Sequence, residues 1–139
     1  MAVVSETLAL GRTTELQMLD ITGEVAAAVS RSGLRNGIVT VFNVGSTAAV
    51  TTIEFEPGLQ RDFPAMLERV APSDIPYQHD LTWHDGNGHS HTRASLLGPD
   101  ITVPFIDGSL TLGTWQQLVF IELDNKPHHR KLIIQIIGE

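Results

Sequence analysis

Apolar residues at Ile21, Val25, Ala28 and Val29 fall at i, i+4, i+7 and i+8, the spacing of one buried helical face. With Asp20 as N-cap and Gly33 as C-cap, they predict a helix over 21–32. A second apolar face, Leu59, Phe63, Met66, Leu67 and Val70, predicts a helix over 59–70. Pro64 sits in its first turns, where proline is best tolerated.

The rest of the patterning is β. Ala2–Leu10, Gly37–Asn43 and Ala49–Glu56 are rich in β-branched residues. Arg12–Leu19 reads as a strand or a loop. Gly45-Ser46-Thr47 is a turn-like break, and Pro57-Gly58 closes the strand after it. Ala71–His79 is irregular. From Thr92 onward the chain reads as strands over 93–97, 101–106, 110–112, 117–123 and 131–137. Gly98-Pro99, Asp107-Gly108 and Asp124-Asn125-Lys126-Pro127 are the intervening turns. With no linker, repeat or low-complexity stretch, the expectation is one α+β domain over 1–139, mostly an antiparallel sheet or sandwich with two helices. The apolar strands 117–123 and 131–137 need burial on both faces or at an interface.

A 139-residue chain that is 42% hydrophobic and 18% charged is globular in composition. Its net charge of -7 argues against nucleic-acid and anionic-membrane partners. The absence of cysteine removes disulfides, thiolate nucleophiles and Cys-type zinc sites. No signal peptide and no bilayer-length apolar run is visible, so a soluble cytoplasmic protein is the expectation.

The chemistry concentrates in Trp83-His84-Asp85-Gly86-Asn87-Gly88-His89-Ser90-His91, which holds three of the six histidines. In an extended stretch His89 and His91 would share a face, and a glycine-containing loop would bring His84 to them. Three imidazoles with an open position suit Zn²⁺, with Asp85 or Glu54 adding a carboxylate or orienting a ligand. Without metal, the same histidines carry protons, with Asp85 fixing a tautomer. Gly45-Ser46-Thr47 offers an anion cradle with two hydroxyls, and Arg93 a local positive charge. The plainer readings stand beside these: paired histidines are commonly just solvated, and Gly-Ser-Thr is commonly just a turn. Glu54 is either an acid–base residue or solvent-facing. His79 and the pair His128-His129 read as exposed loop residues, and Trp83 and Trp115 as core or interface residues.

The central segment resembles the YjbQ family, whose members are described as secondary thiamine-phosphate synthases. So do Arg93-Ala94-Ser95-Leu96-Leu97-Gly98 and Gly113-Thr114-Trp115-Gln116. The likeness runs from the first strand to Gly138, and the two motifs at this separation are specific together. It implies a trimeric α+β protein with its site around the His/Asp/Asn segment, near subunit contacts. It also implies a weak activity that joins a pyrimidine diphosphate to a thiazole phosphate and releases pyrophosphate.

In that reading His84, Asp85, Asn87 and Glu54 serve catalysis. Ser46, Thr47 and Arg93 bind substrate, and His84, His89 and His91 hold a metal. The ligand set favours Zn²⁺, whereas pyrophosphate release favours Mg²⁺. A metal-dependent hydrolase of a small phosphorylated metabolite and a noncatalytic metabolite- or metal-binding trimer are the alternatives. One departure stands out. Many family members carry His-Thr-Ser-Ala ahead of the strand that leads to the acid. Here the stretch is Gly45-Ser46-Thr47-Ala48, with the acid kept as Glu54.

Overall fold

Strand parity explains the architecture. In the C-terminal strand β8 (His128–Gly138), Arg130, Leu132, Ile134 and Ile136 are buried while their alternate neighbours are half-buried or exposed. β8 lies between β1 (Ala2–Thr13) and β3 (Gly37–Asn43). β5 (Asp100–Ile106) and β6 (Ser109–Leu110) complete a five-stranded antiparallel sheet in the order β1-β8-β3-β5-β6. A second antiparallel sheet holds β2 (Met18–Asp20), β7 (Gln117–Glu122) and β4 (Ala48–Ile53), with β7 central. The computed structural model describes every residue from Met1 to Glu139.

β7 is buried on both faces, as its unbroken apolar run requires. Leu118 and Phe120 point into the core between the sheets, against Val39, Val41, Phe105 and Ile134. Val119 and Ile121 point the other way, into a second cluster with Leu67 and Ala94. Leu67 belongs to α2 (Leu59–Val70) and Ala94 to α4 (Gly88–Leu97), so these two helices cover the outside of the smaller sheet. Each fully buried Leu, Ile or Phe contributes roughly 1.5–3 kcal/mol of transfer free energy to this layering. α1 (Thr22–Ser32) buries Val25, Ala28 and Val29 and ends at Gly33, whose left-handed φ of 72° closes the last turn. Asp20 accepts the Thr22 amide at 3.0 Å, and the helix starts one residue later than predicted.

The α+β domain is as expected, with four helices in place of two. α3 (Gln78–Trp83) begins in the last two residues of the stretch read as irregular and runs to the start of the polar segment. α4 replaces the turn and strand expected over 88–97. Its buried residues, Gly88, His89, Ser90, Arg93 and Ala94, follow a helical stripe that is mostly polar, so no apolar period marked it. His128 and His129 begin β8 and are not loop residues; His129 is exposed and His128 half-buried. Trp83 and Trp115 are exposed and so are not core residues. No helix is long and apolar enough to cross a membrane.

Candidate active site

Two charged residues share strand parity with the core. Glu122 ends β7 on the face of Leu118 and Phe120, and Arg130 opens the inward face of β8. They meet at the end of the sandwich as a bidentate pair, Nε to Oε1 at 2.9 Å and Nη2 to Oε2 at 2.7 Å. Glu122 is fully buried, so its remaining acceptor capacity must be filled. The Thr13 hydroxyl donates to Oε1 at 2.7 Å, and the Asp124 amide donates to Oε2 at 3.1 Å.

The network continues outward. Arg130 Nη2 also donates to Thr47 Oγ1 at 2.7 Å, and Thr47 donates to Asp124 Oδ2 at 2.9 Å. His128 Nε2 lies 2.8 Å from the same carboxylate oxygen. Burial alone would push the Asp124 carboxyl up. Hydrogen bonds from His128, Thr47 and the Lys126 amide, with the charge of His128, outweigh it and hold the group below the usual carboxylate range. Beside the network Asn43 donates to the Gly45 carbonyl at 3.2 Å, while its own Oδ1 is buried without a partner.

The break between β3 and β4 forms one wall of a cleft of about 190 Å³, lined by Gly45, Ser46, Ala48, His91, Ala94, Ser95 and Pro99. The backbone amides of Gly45, Ser46 and Thr47 donate no hydrogen bond within the chain. Facing them, His91 projects from the first turns of α4. Its ring stands 4.4 Å, centroid to centroid, from that of His79 on α3. His79 Nε2 lies 3.7 Å from Asp85 Oδ1. The Asn87 amide, oriented by its partners, donates to His79 Nε2 at 3.0 Å and to Asp85 Oδ1 at 2.8 Å. Asn125 Nδ2 donates to the Asp85 carbonyl at 2.9 Å, tying the β7–β8 connection to the loop between α3 and α4.

The structure therefore rearranges the predicted set. On a helix His89 and His91 diverge by about 200° about the axis and cannot share a face. His89, 4% exposed, turns inward and pairs with Glu15 at 2.8 Å. His84 is exposed and caps α3 in a left-handed conformation, φ 56°. No three His, Asp or Glu side chains of the chain converge as a metal-binding group. The three-histidine set His84, His89 and His91 is thus not assembled within one chain.

Arg93 is a second correction. It is 1% exposed and donates to the Ala71 carbonyl at 3.0 Å and to Glu68 at 2.8 Å, fastening α4 to the end of α2. The Ser73 amide and then Arg93 hold the Glu68 carboxyl below its usual range. Glu54 stands just past the far end of β4, a strand's length from Thr47. Ser46 lines the cleft, and Thr47 lies buried beneath it in the Arg130 network.

His79, Glu122, Asp124, His128 and Arg130 are the residues that sequence reasoning passed over or set aside. Parity was the available signal. Arg130 alternates in step with Leu132, Ile134 and Ile136, and Glu122 with Phe120 and Leu118. A cation and an anion on the core faces of successive strands are expected to pair.

Comparison with known proteins agrees with this architecture. The family described as UPF0047 protein YjbQ-like matches residues 6–139. A UPF0047 protein of Methanothermobacter thermautotrophicus is 41% identical over 139 residues, covering 100% of this chain and 95% of its own. The UPF0047 protein YugU of Bacillus subtilis is 32% identical over 135 residues, covering 96% and 98%. Among solved structures, a YbjQ-like protein of unknown function from Sulfolobus solfataricus superposes with a TM-score of 0.93 at 33% identity. It covers 99% of each chain. A hypothetical protein from Aeropyrum pernix gives 0.85 at 33% identity, covering 100% of each chain. With a match over nearly its whole length, this chain belongs to the UPF0047/YjbQ family.

Proposed function

We propose that the chain is an enzyme acting on a small phosphorylated metabolite in the cleft between Gly45-Ser46-Thr47 and His91. The observation that carries this reading is the pairing of the two walls. One offers backbone amides with no partner in the chain and the Ser46 hydroxyl; the other offers an imidazole. Unpaired amides and a hydroxyl suit phosphate oxygens. An imidazole packed against a second one, itself held by Asp85 and Asn87, suits proton transfer near neutral pH.

The specific reaction supported by the family resemblance is thiamine-phosphate synthesis, a transferase reaction. The thiazole nitrogen forms a bond to the pyrimidine methylene carbon as the carbon–oxygen bond to diphosphate breaks. The electron pair leaves with pyrophosphate. In this reading Ser46 and the amides of 45–47 hold the departing diphosphate and stabilise its growing charge. His91 gives a proton to the departing diphosphate, and His79, Asp85 and Asn87 position its ring.

The test is chromatographic detection of thiamine phosphate from the two phosphorylated precursors. His91→Gln and Ser46→Ala should each lower kcat about a hundredfold while the thermal melt is unchanged. If the unmodified protein forms no thiamine phosphate but releases inorganic phosphate from either precursor, the hydrolase reading replaces this one. If neither precursor is altered and both bind, the chain is a metabolite-binding protein.

We also propose that the chain assembles as a homotrimer through the outer face of β3 and β8. Ile38 and Phe42 are each 42% exposed there and Val44 57%, beside Ile133 and Ile137. A contiguous apolar strip on a sheet face marks an interaction surface.

A further inference from the structure

We infer that the basic start of β8 forms a second anion site, separate from the cleft at His91 and suited to a diphosphate-class oxyanion. The argument begins with charge. The chain carries nine Lys and Arg against sixteen Asp and Glu. Four of the arginines, Arg31, Arg35, Arg93 and Arg130, are committed to carboxylates. Both lysines lie instead in the single run Lys126-Pro127-His128-His129-Arg130-Lys131, and neither forms an ion pair. In a chain of net charge -7 this is a local reversal of sign.

The fold gives the run a concave shape. A cleft of about 380 Å³ is lined by Thr7, Val44, His128, His129, Arg130, Lys131 and Ile133. It shares no lining residue with the cleft at His91. His129 and Lys131 alternate outward on β8 and are exposed, and Arg12 stands opposite His129 in the register with β1. Glu122 and Asp124 offset the charges of Arg130 and His128 from within, so the grip on an anion rests on Lys131, His129 and the Thr7 hydroxyl. Arg130 is spent on the network beneath: Nε and Nη2 serve Glu122 and Thr47, and Nη1 lies beside Gly45. Val44 and Ile133, where this cleft adjoins the apolar face proposed as the subunit contact, supply low-dielectric walls that strengthen the field between these donors. Donors spread across such a volume match two linked phosphates better than one carboxylate.

The inference stands apart from the activity proposed above, because its test needs no turnover. Pyrophosphate is titrated into the isotopically labelled full chain and followed by NMR. Saturable shifts are expected at the His128 and His129 rings and the Lys131 amide. The paired variant His129→Gln/Lys131→Gln, altered only at exposed positions, should weaken that response at least about tenfold without changing the melt. Ser46→Ala should leave it intact, since shifts at 45–47 and His91 report the other cleft. The inference is overturned if these signals do not saturate, or if the paired variant binds as tightly as the parent. Equal affinity for orthophosphate would overturn the diphosphate assignment.

Discussion

Arg130 Nη1 lies 2.7 Å from the point where a Cβ on Gly45 would stand. A Cβ at position 45 and the guanidinium would therefore claim the same space, and the arginine is held there by its bidentate contact with Glu122. Any side chain at position 45 and the present position of Arg130 exclude one another.

A substitution at Gly45 must accordingly move a buried guanidinium from charge-assisted partners. Gly45→Ala should destabilise the fold by about 1–3 kcal/mol, through the loss of such a bond and a backbone φ of 156° that favours glycine. Gly45→His should cost more. Urea unfolding of the two variants measures both. A loss below about 0.5 kcal/mol, the scale of an ordinary surface change, would show that Arg130 swings away freely.

The Glu122–Arg130 pair should behave as a buried ion pair and not as a surface one. Arg130→Met leaves Glu122 charged at 0% exposure with only Thr13 and a backbone amide as donors. The expected cost is about 3–5 kcal/mol. Adding Glu122→Gln removes the stranded charge, so the double variant should be more stable than the sum of the single losses predicts. A double-mutant cycle by chemical denaturation should return a coupling above about 1 kcal/mol. Additive losses would mean the two charges are not coupled in the folded protein.

These two residues also show where the sequence was legible. α2 and β3 were readable to the residue, over 59–70 and 37–43, because their buried faces are apolar and their ends carry glycine, proline or asparagine. α4 was not, because its buried stripe is His89, Ser90, Arg93 and Ala94. His89 and Arg93 are satisfied by Glu15, Glu68 and the Ala71 carbonyl, partners distant in sequence, while Ser90 Oγ is buried without a partner. The candidate site was half legible for the same reason. His91, Ser46 and Asp85 belong to marked segments, while Asp124 and His128 acquire meaning only when the β7–β8 connection folds against Thr47.

Asp124 gives stability a definite pH dependence. Its folded pKa is lowered, so its contribution is fully present above the unfolded value of about 3.9 and is lost as pH falls through the folded value. Asp124→Asn should therefore cost about 1–3 kcal/mol at neutral pH, since His128, Thr47 and the Lys126 amide lose an ionised acceptor. The gap between parent and variant should narrow as pH drops below about 4. Denaturation midpoints at several pH values test the sign. A gap that widens toward acid would mean that the carboxyl is held up and not down.

Phe42 pairs in register with Ile133 on the outer face of the larger sheet, where both contribute to an apolar groove. β8 is covered on one face only by its own chain, in contrast to β7, and a second copy is the cover proposed here. Sedimentation should give three times the 15.2 kDa chain mass. Phe42→Lys would place an ammonium in a desolvated contact, which costs several kcal/mol per ion without a partner. It should yield a folded monomer, because Phe42 is outside the core that joins the two sheets. A parent protein that sediments as a monomer, or a Phe42→Lys variant that remains trimeric, would remove this face as the subunit contact.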